Sequence, residues 1–316
     1  MPAPDRRSAF PARLRALGTP ASSLVTRPLL RRSLPPQSGG RGAPFDSQGM
    51  ARAGWHLALA ASAAFLLAPT VLAVLASLKP AGDLYDANPL PLHPTLDSYR
   101  VAIADFPVVR LLADTVAVAA GVTILQLIVA TLAAYALVEG GARAGRLALA
   151  AGTVAVLVPA QALIIPQFLL VTHLGWQNTF AGLIVPQLSG CAVPLLLLRQ
   201  QVRAIPASLT EAATLDGANS WQALWHVVLP VMRPALGAVA ILVFAGTWNE
   251  YLWPLIAAPG GTPGTIQTGL ALFLNTEGAN PGPLLAAATL ATLPVLAAYG
   301  CAARQITNAF MHSGIE

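Results

Sequence analysis

Two groups of residues carry whatever chemistry this chain can do. The first is Glu211-Ala212-Ala213, followed by Asp216-Gly217-Ala218 and then by Leu229-Pro230. These residues fall in a polar stretch, about 206–230, set between apolar runs long enough to cross a bilayer. The chemistry of such an element is contact: a short helix held clear of the membrane can lie in a groove of another protein. Pro206 precedes a capping-box pattern in which Ser208 caps a helix and Glu211 reaches back to the cap's own N–H. Leu209, Ala212, Ala213 and Leu215 continue that helix, and Gly217 ends it, because glycine takes positive φ at no steric cost. Ser220 then caps a second helix, on which Trp221, Leu224, Trp225 and Val228 recur as one apolar stripe. Pro230 and Pro234 break or kink the chain before the next run. Without a partner, the same stretch is a plain amphipathic surface hairpin.

The second group is Trp248-Asn249-Glu250-Tyr251 in a later apolar run, with Gln161 and Gln167 as weaker members from an earlier one. Aromatic faces stack on apolar sugar rings while amides and carboxylates take hydroxyls, so this set suits a carbohydrate path. The competing reading is an interfacial aromatic belt with a snorkelling acid. Asp114 is an acid inside a span, which marks a functional candidate, but Arg110 one turn earlier offers an i,i+4 ion pair.

Catalytic chemistry is not written into the chain. There is no G-x-x-x-x-G-K-[ST] phosphate loop, no H-E-x-x-H and no nucleophile elbow in a plausible context. The five histidines are scattered, and His226 reads as a solvated or packing side chain. No metal site is expected, and no cofactor in this chain. Cys191 and Cys301 sit in apolar runs as small fillers.

The elements that must position these residues are membrane helices. Of 316 residues, 55% are hydrophobic and 10% charged, where a soluble domain carries about 25% charged residues. Six apolar runs lie near 56–78, 110–138, 146–171, 180–200, 233–257 and 283–303. Pro159, Pro166, Pro186, Pro194 and Pro294 fall inside them, read as packing kinks or as breaks beside a cavity. Residues 1–52 form an Arg- and Pro-rich leader, expected to be disordered, with 53–316 as the membrane domain. The leader is no secretory signal; a transit peptide is an alternative, as is a true start at Met50.

Nine of the eighteen Lys and Arg residues lie in that leader, so the net charge of +5 belongs to membrane orientation, not to nucleic acid. With both termini in the cytoplasm, Arg143, Arg146, Arg199, Arg203, Arg233 and Arg304 lie inside. The outer side then holds Asp83, Asp86, Asp97, Asp105, Glu250 and Glu277. The polar stretch at 206–230 is then cytoplasmic. Outside lie a Pro-rich loop, 79–109, and a flexible, turn-rich segment, 258–282.

Glu211-Ala-Ala-x-x-Asp216-Gly217-Ala218, with Leu229-Pro230 and Pro234, resembles the EAA loop of importer permeases in the ATP-binding-cassette class. Ser77-Leu-Lys-Pro80, Ala133-Ala-Tyr135-Ala and Trp248-Asn249-Glu250-Tyr251 resemble the carbohydrate-uptake permeases, in the branch of the maltose-permease inner-membrane subunit that lacks a large external domain. The resemblance covers about 56–312. Leu224, Trp225 and His226 depart from it in detail, which bears on partner identity more than on role.

The resemblance implies an all-α membrane protein, a six-helix bundle like that of type I ATP-binding-cassette importers. Its coupling residues would be Glu211, Ala212, Ala213, Asp216, Gly217, Ala218, Leu229 and Pro230. The implied partners are an ATPase dimer that binds ATP and Mg, a second permease subunit in a heterodimer, an extracytoplasmic solute-binding protein and membrane lipid, with no nucleic acid. The expected function is import of a sugar or sugar-like solute across the cytoplasmic membrane by alternating access. A polyamine, phosphate ester or amino acid is the alternative solute, and an ion-coupled secondary carrier the alternative class.

Overall fold

The computed structural model describes residues 47–260, 262–276 and 281–311. The proposed leader up to residue 46 and Glu277 lie outside them. The chain divides into two units, Met1–Leu57 and Ala58–Glu316. Among the described residues of the first unit, Ser47 onward already belongs to the first helix, so helix begins inside the stretch assigned to the leader.

Every regular element among the described residues is a helix, with no strand. In chain order the helices are α1 (Ser47–Ser77), α2 (Asp97–Ala104), α3 (Val108–Glu139), α4 (Gly141–Leu157), α5 (Ile164–His173), α6 (Phe180–Ile184), α7 (Ala192–Ala204), α8 (Ala207–Leu215), α9 (Ser220–Ala223), α10 (Leu229–Trp248), α11 (Leu252–Ala257), α12 (Ile266–Thr276) and α13 (Pro281–Met311). Five stretches are long and apolar enough to cross a membrane: Gly54–Ser77, Val108–Glu139, Phe180–Ala204, Ser220–Trp248 and Pro281–Gly300. A sixth, Gly145–Leu157 with Ala160–His173, turns through 88° at its break.

That break lies at the third expected run. Val158 is extended, as the residue before a proline tends to be, and Pro159 opens a short 3-10 turn, Ala160–Leu163. The fourth span is interrupted too. Val185–Cys191 is 3-10 between α6 and α7, with Pro186 in its first turn. Backbone carbonyls released at membrane depth must find donors within the protein. Here glutamine side chains supply some of them, and the same glutamines line a cavity.

α3 is the central element, packed on α7 and α10, while α10 also packs on α13. Lipid tails are as apolar as leucine, so packing and close approach hold these helices together. Small residues sit at the closest contacts: Ala119, Ala130 and Ala134 of α3 and Ala286 and Ala287 of α13 are fully buried. Polar residues at depth turn back on the backbone: the Thr115 and Thr123 hydroxyls donate to Leu111 O (2.5 Å) and Ala119 O (2.6 Å). The segments 79–109 and 258–282 carry more order, among their described residues, than their turn residues imply. α2 packs on α13, and α12, inside the segment expected to be flexible, buries Ile266 and Phe273. Thr115 Oγ1 accepts from Ile266 N at 2.8 Å, and Asp114 Oδ2 accepts from Gly264 N at 3.3 Å. Asp114 also lies 3.9 Å from Arg110 Nε, the i,i+4 pair that the spacing offers.

Candidate functional site

α8 stands at one end of the bundle with no buried residue. Pro206, not Ser208, is its N-cap, and no side chain caps it, so the expected Ser208–Glu211 box does not form. Starting at Ala207 draws Ser208 into the first turn, where Glu211 cannot serve as its N3 partner. The stop is as expected. Gly217 takes φ +83°, Gly217 N donates to Thr214 O at 3.0 Å and Ala218 N to Ala213 O at 2.9 Å. Those two bonds make a Schellman closure. Next, Asn219 rather than Ser220 is the N-cap: its Oδ1 accepts from Gln222 N and its N–H donates to Gln222 Oε1, both at 2.9 Å. This box was legible as Asn-x-x-Gln, one residue before the serine favoured instead.

The second helix of the expected pair is not separate. Ser220–Trp248 is one continuous helical span, through a π turn at Leu224–Val228 and past Pro230 and Pro234. Pro230 lies inside this continuous helix, directly after the π turn, so it neither ends the helix nor starts a new one. The wider π turn also splits the expected stripe. Leu224 and Val228 are buried in the core, whereas Trp221 and Trp225 are 58% and 52% exposed, edge to face with centroids 5.8 Å apart. Leu215 is 89% exposed. A polar knuckle thus presents three bare apolar side chains beside Glu211, Ala212 and Asp216, while Leu229 lies half-buried behind it. A concavity of about 340 Å³ between its two arms is lined by Ala213, Asp216, Gly217, Ala218, Gln222 and His226. Tyr135 ties the knuckle to the bundle, its hydroxyl donating to Ser220 O at 3.0 Å.

Half of the second group lines a cavity of about 360 Å³ between α3, α5, α7 and α10. Gln161, Gln167 and Glu250 line it, together with Gln126, Gln187, Ser189, Thr247 and Trp253, which sequence reasoning had not selected. Gln126 Nε2 donates to Gln187 O (2.6 Å), Gln167 Nε2 to Pro186 O (3.2 Å) and Ser189 Oγ (2.7 Å), and Gln187 Nε2 to Leu183 O (2.8 Å). Gln126 and Gln167 thus satisfy the carbonyls of Gln187 and Pro186 in the 3-10 segment, and Gln187 that of Leu183 in α6. The Gln161 side chain has no hydrogen-bond partner among the described residues, while its carbonyl accepts from Ile164 N. Glu250 Oε1 accepts from Leu252 N (3.1 Å) and Trp253 N (3.2 Å), so it caps α11. The Trp253 indole N–H is buried without an acceptor. No Lys or Arg lines the cavity. The unselected residues did carry a signal: Gln126 is the one amide in an otherwise apolar run.

Three expected path residues do not line the cavity. Trp248 is 1% exposed, stacked on Phe244 and donating its indole N–H to Ala291 O of α13 at 3.2 Å. Asn249 turns back on its own helix, Nδ2 to Ala245 O at 2.8 Å, and Tyr251 is exposed. The helix ends at Trp248, so these neighbours in sequence point to different sides. Asn249→Ala is expected to leave uptake kinetics within about twofold, as for a surface substitution, checked by initial-rate uptake.

Residues 126–309, more than half of the chain, match the family described as binding-protein-dependent transport system inner membrane component. ABC transporter permease protein ORF1 of Streptomyces antibioticus is 32% identical over 228 residues, 72% of this chain and 100% of that one. Lactose transport system permease protein LacG of Rhizobium radiobacter is 30% identical over 60% of this chain and 70% of its own length. Diacetylchitobiose uptake system permease protein NgcG of Streptomyces coelicolor is 28% identical over 80% and 85%. A bacterial ABC transporter involved in the import of the acidic polysaccharide alginate shares the fold, with TM-score 0.66 and 23% identity over 83% of this chain and 99% of that one. The chain therefore belongs to the inner membrane components of binding-protein-dependent transport systems, as a multi-pass permease subunit of an ATP-binding-cassette importer and not an enzyme.

Proposed function

We propose that this permease imports a neutral sugar or short oligosaccharide through the glutamine-lined cavity by alternating access. One observation carries the reading: the cavity wall combines four glutamines, a serine, a threonine and an indole, with no cation. Amides and hydroxyls of this kind match sugar hydroxyls, and an indole adds an apolar surface. The absence of Lys and Arg among the lining residues counts against a phosphate ester. The one carboxylate, Glu250, is engaged by two backbone N–H groups, which counts against a polyamine. The substrates named for the relatives LacG and NgcG, lactose and diacetylchitobiose, support the same class.

Family membership implies an ATPase and a solute-binding protein as partners. The finer assignments are ours. The knuckle formed by α8 and the start of the Ser220–Trp248 span seats in grooves of an ATPase dimer, which holds ATP and Mg. Glu211, Ala212, Ala213, Asp216, Gly217 and Ala218 make that contact, and a second, non-identical permease subunit completes the channel. Both termini lie in the cytoplasm, in keeping with the excess of arginine at the knuckle end.

The test is ATP-dependent uptake by the purified transporter in proteoliposomes, supplied with its binding protein and a panel of disaccharide, glycerol phosphate, polyamine and amino acid. Uptake of the neutral disaccharide is expected. Uptake confined to a charged solute removes the sugar assignment. A complex that purifies without an ATPase removes the coupling assignment.

A further inference from the structure

A pocket of about 370 Å³ lies at the knuckle end of the bundle, between the last turn of α3, the start of α4 and the C-terminal half of α7. Arg146, Arg199 and Arg203 line it with Leu137, Val138 and Leu149. Arg199 is the unusual member. Its side chain is only 7% exposed, its Nη2 donates to Gly145 O at 3.1 Å, and its Nε is buried with no acceptor. Gly145 is what admits it. A Cβ there would stand 2.9 Å from Arg199 Nη2 and 3.3 Å from the Leu137 carbonyl. Neither Arg199 nor Arg203 pairs with a carboxylate among the described residues.

Buried guanidinium groups are ordinarily paired, and their planar fork of donors matches the oxygens of a phosphate. We propose that this pocket binds the phosphate of an anionic phospholipid headgroup from the inner leaflet. The shared chemistry, a phosphate monoanion, could also come from a soluble ion, but three features favour lipid. The wall is half apolar, with Leu137, Val138 and Leu149 placed to meet glycerol and acyl carbons. Leu147, on the neighbouring turn of α4, is 74% exposed, so the pocket edge adjoins an apolar surface. And the knuckle end is the cytoplasmic end by charge, where basic pockets between spans hold anionic headgroups. The proposal needs the chain's place in the membrane but not the identity of its solute.

The test is native mass spectrometry of the assembled, delipidated transporter, titrated with phosphatidylglycerol, phosphatidylcholine or inorganic phosphate. Phosphatidylglycerol is expected to bind in preference to phosphatidylcholine, and to survive inorganic phosphate at equal concentration. Arg199→Gln is expected to weaken it about tenfold or more, the loss of one charge-assisted contact. Arg203→Gln alters an exposed side chain and so tests the site even where Arg199→Gln fails to assemble. Gly145→Ala, which crowds Nη2, should act in the same direction. Equal phosphatidylglycerol binding by the wild type and Arg203→Gln overturns the assignment. So does displacement by inorganic phosphate, which would make the ligand a soluble anion. Exclusion of lipid because a partner carboxylate cross-links into the pocket overturns it as well.

Discussion

Gly217→Pro is expected to abolish uptake while the amount of chain in the membrane stays unchanged. Two separate effects combine. Proline locks φ near −65°, whereas Gly217 holds φ +83°, so the turn cannot survive in its present form. Proline also deletes the N–H that donates to Thr214 O, one of the two bonds of the Schellman closure. The knuckle has no buried core of its own, so the damage stays local and insertion proceeds. Nothing lies within 4 Å of a Cβ built at Gly217, so Gly217→Ala meets no clash within the chain. Its cost is backbone strain of roughly 1 kcal/mol, and partial uptake is expected. Gly217→Asn, which tolerates the left-handed region, should lie closer to wild type. Uptake and membrane content measured together decide the matter. Wild-type uptake by Gly217→Pro would show that the knuckle transmits nothing.

Glu250→Ala is the second large effect, with an expected loss of about tenfold or more in uptake at low solute concentration. The carboxylate accepts from Leu252 N and Trp253 N, and loss of such a cap costs about 1 kcal/mol. Freed, the first turn of α11 no longer holds Trp253 against the cavity, so a wall of the site moves as well as a polar group being lost. About tenfold corresponds to 1.4 kcal/mol, within reach of those two contributions together. Glu250→Gln keeps an acceptor oxygen in place and removes only the charge. If the solute is neutral, that variant should transport within about threefold of wild type, because the cap is retained. Wild-type kinetics in Glu250→Ala would remove α11 from the path. A Gln variant as impaired as Ala would assign the charge itself a role in solute binding.

The membrane architecture was legible because apolar run length is a direct reading of bilayer thickness. Gly217 was legible for a similar reason: few residues end a helix in the left-handed region, and one stood in the right place. Gln161, Gln167 and Glu250 were found because polar groups are conspicuous among apolar ones. What failed was local or tertiary. Ser208 and Asn219 compete as caps through a one-residue shift of helix start, which spacing alone does not decide. Pro230 was expected to break or kink the chain, but the helix runs on through it, with the π turn just before it. The third run is as apolar as the rest, yet it turns at Val158 and Pro159, with the two halves sharing one stretch of sequence. Trp248 looked like a sugar platform by its neighbours. Its burial depends on α13, whose contact residue Ala291 comes 43 residues later in the chain.

The continuity of Ser220–Trp248 has a mechanical consequence. Its 29 residues form a rod about 40 Å long, with the knuckle at one tip and the Glu250 corner at the other. A tilt of about 10° around its middle would carry each tip some 3–4 Å, by the same rise per residue. Under the proposed coupling, a push at the knuckle would widen or narrow the glutamine-lined cavity by levering the whole span. No helix would need to unwind, and the slack would be taken up at the π turn.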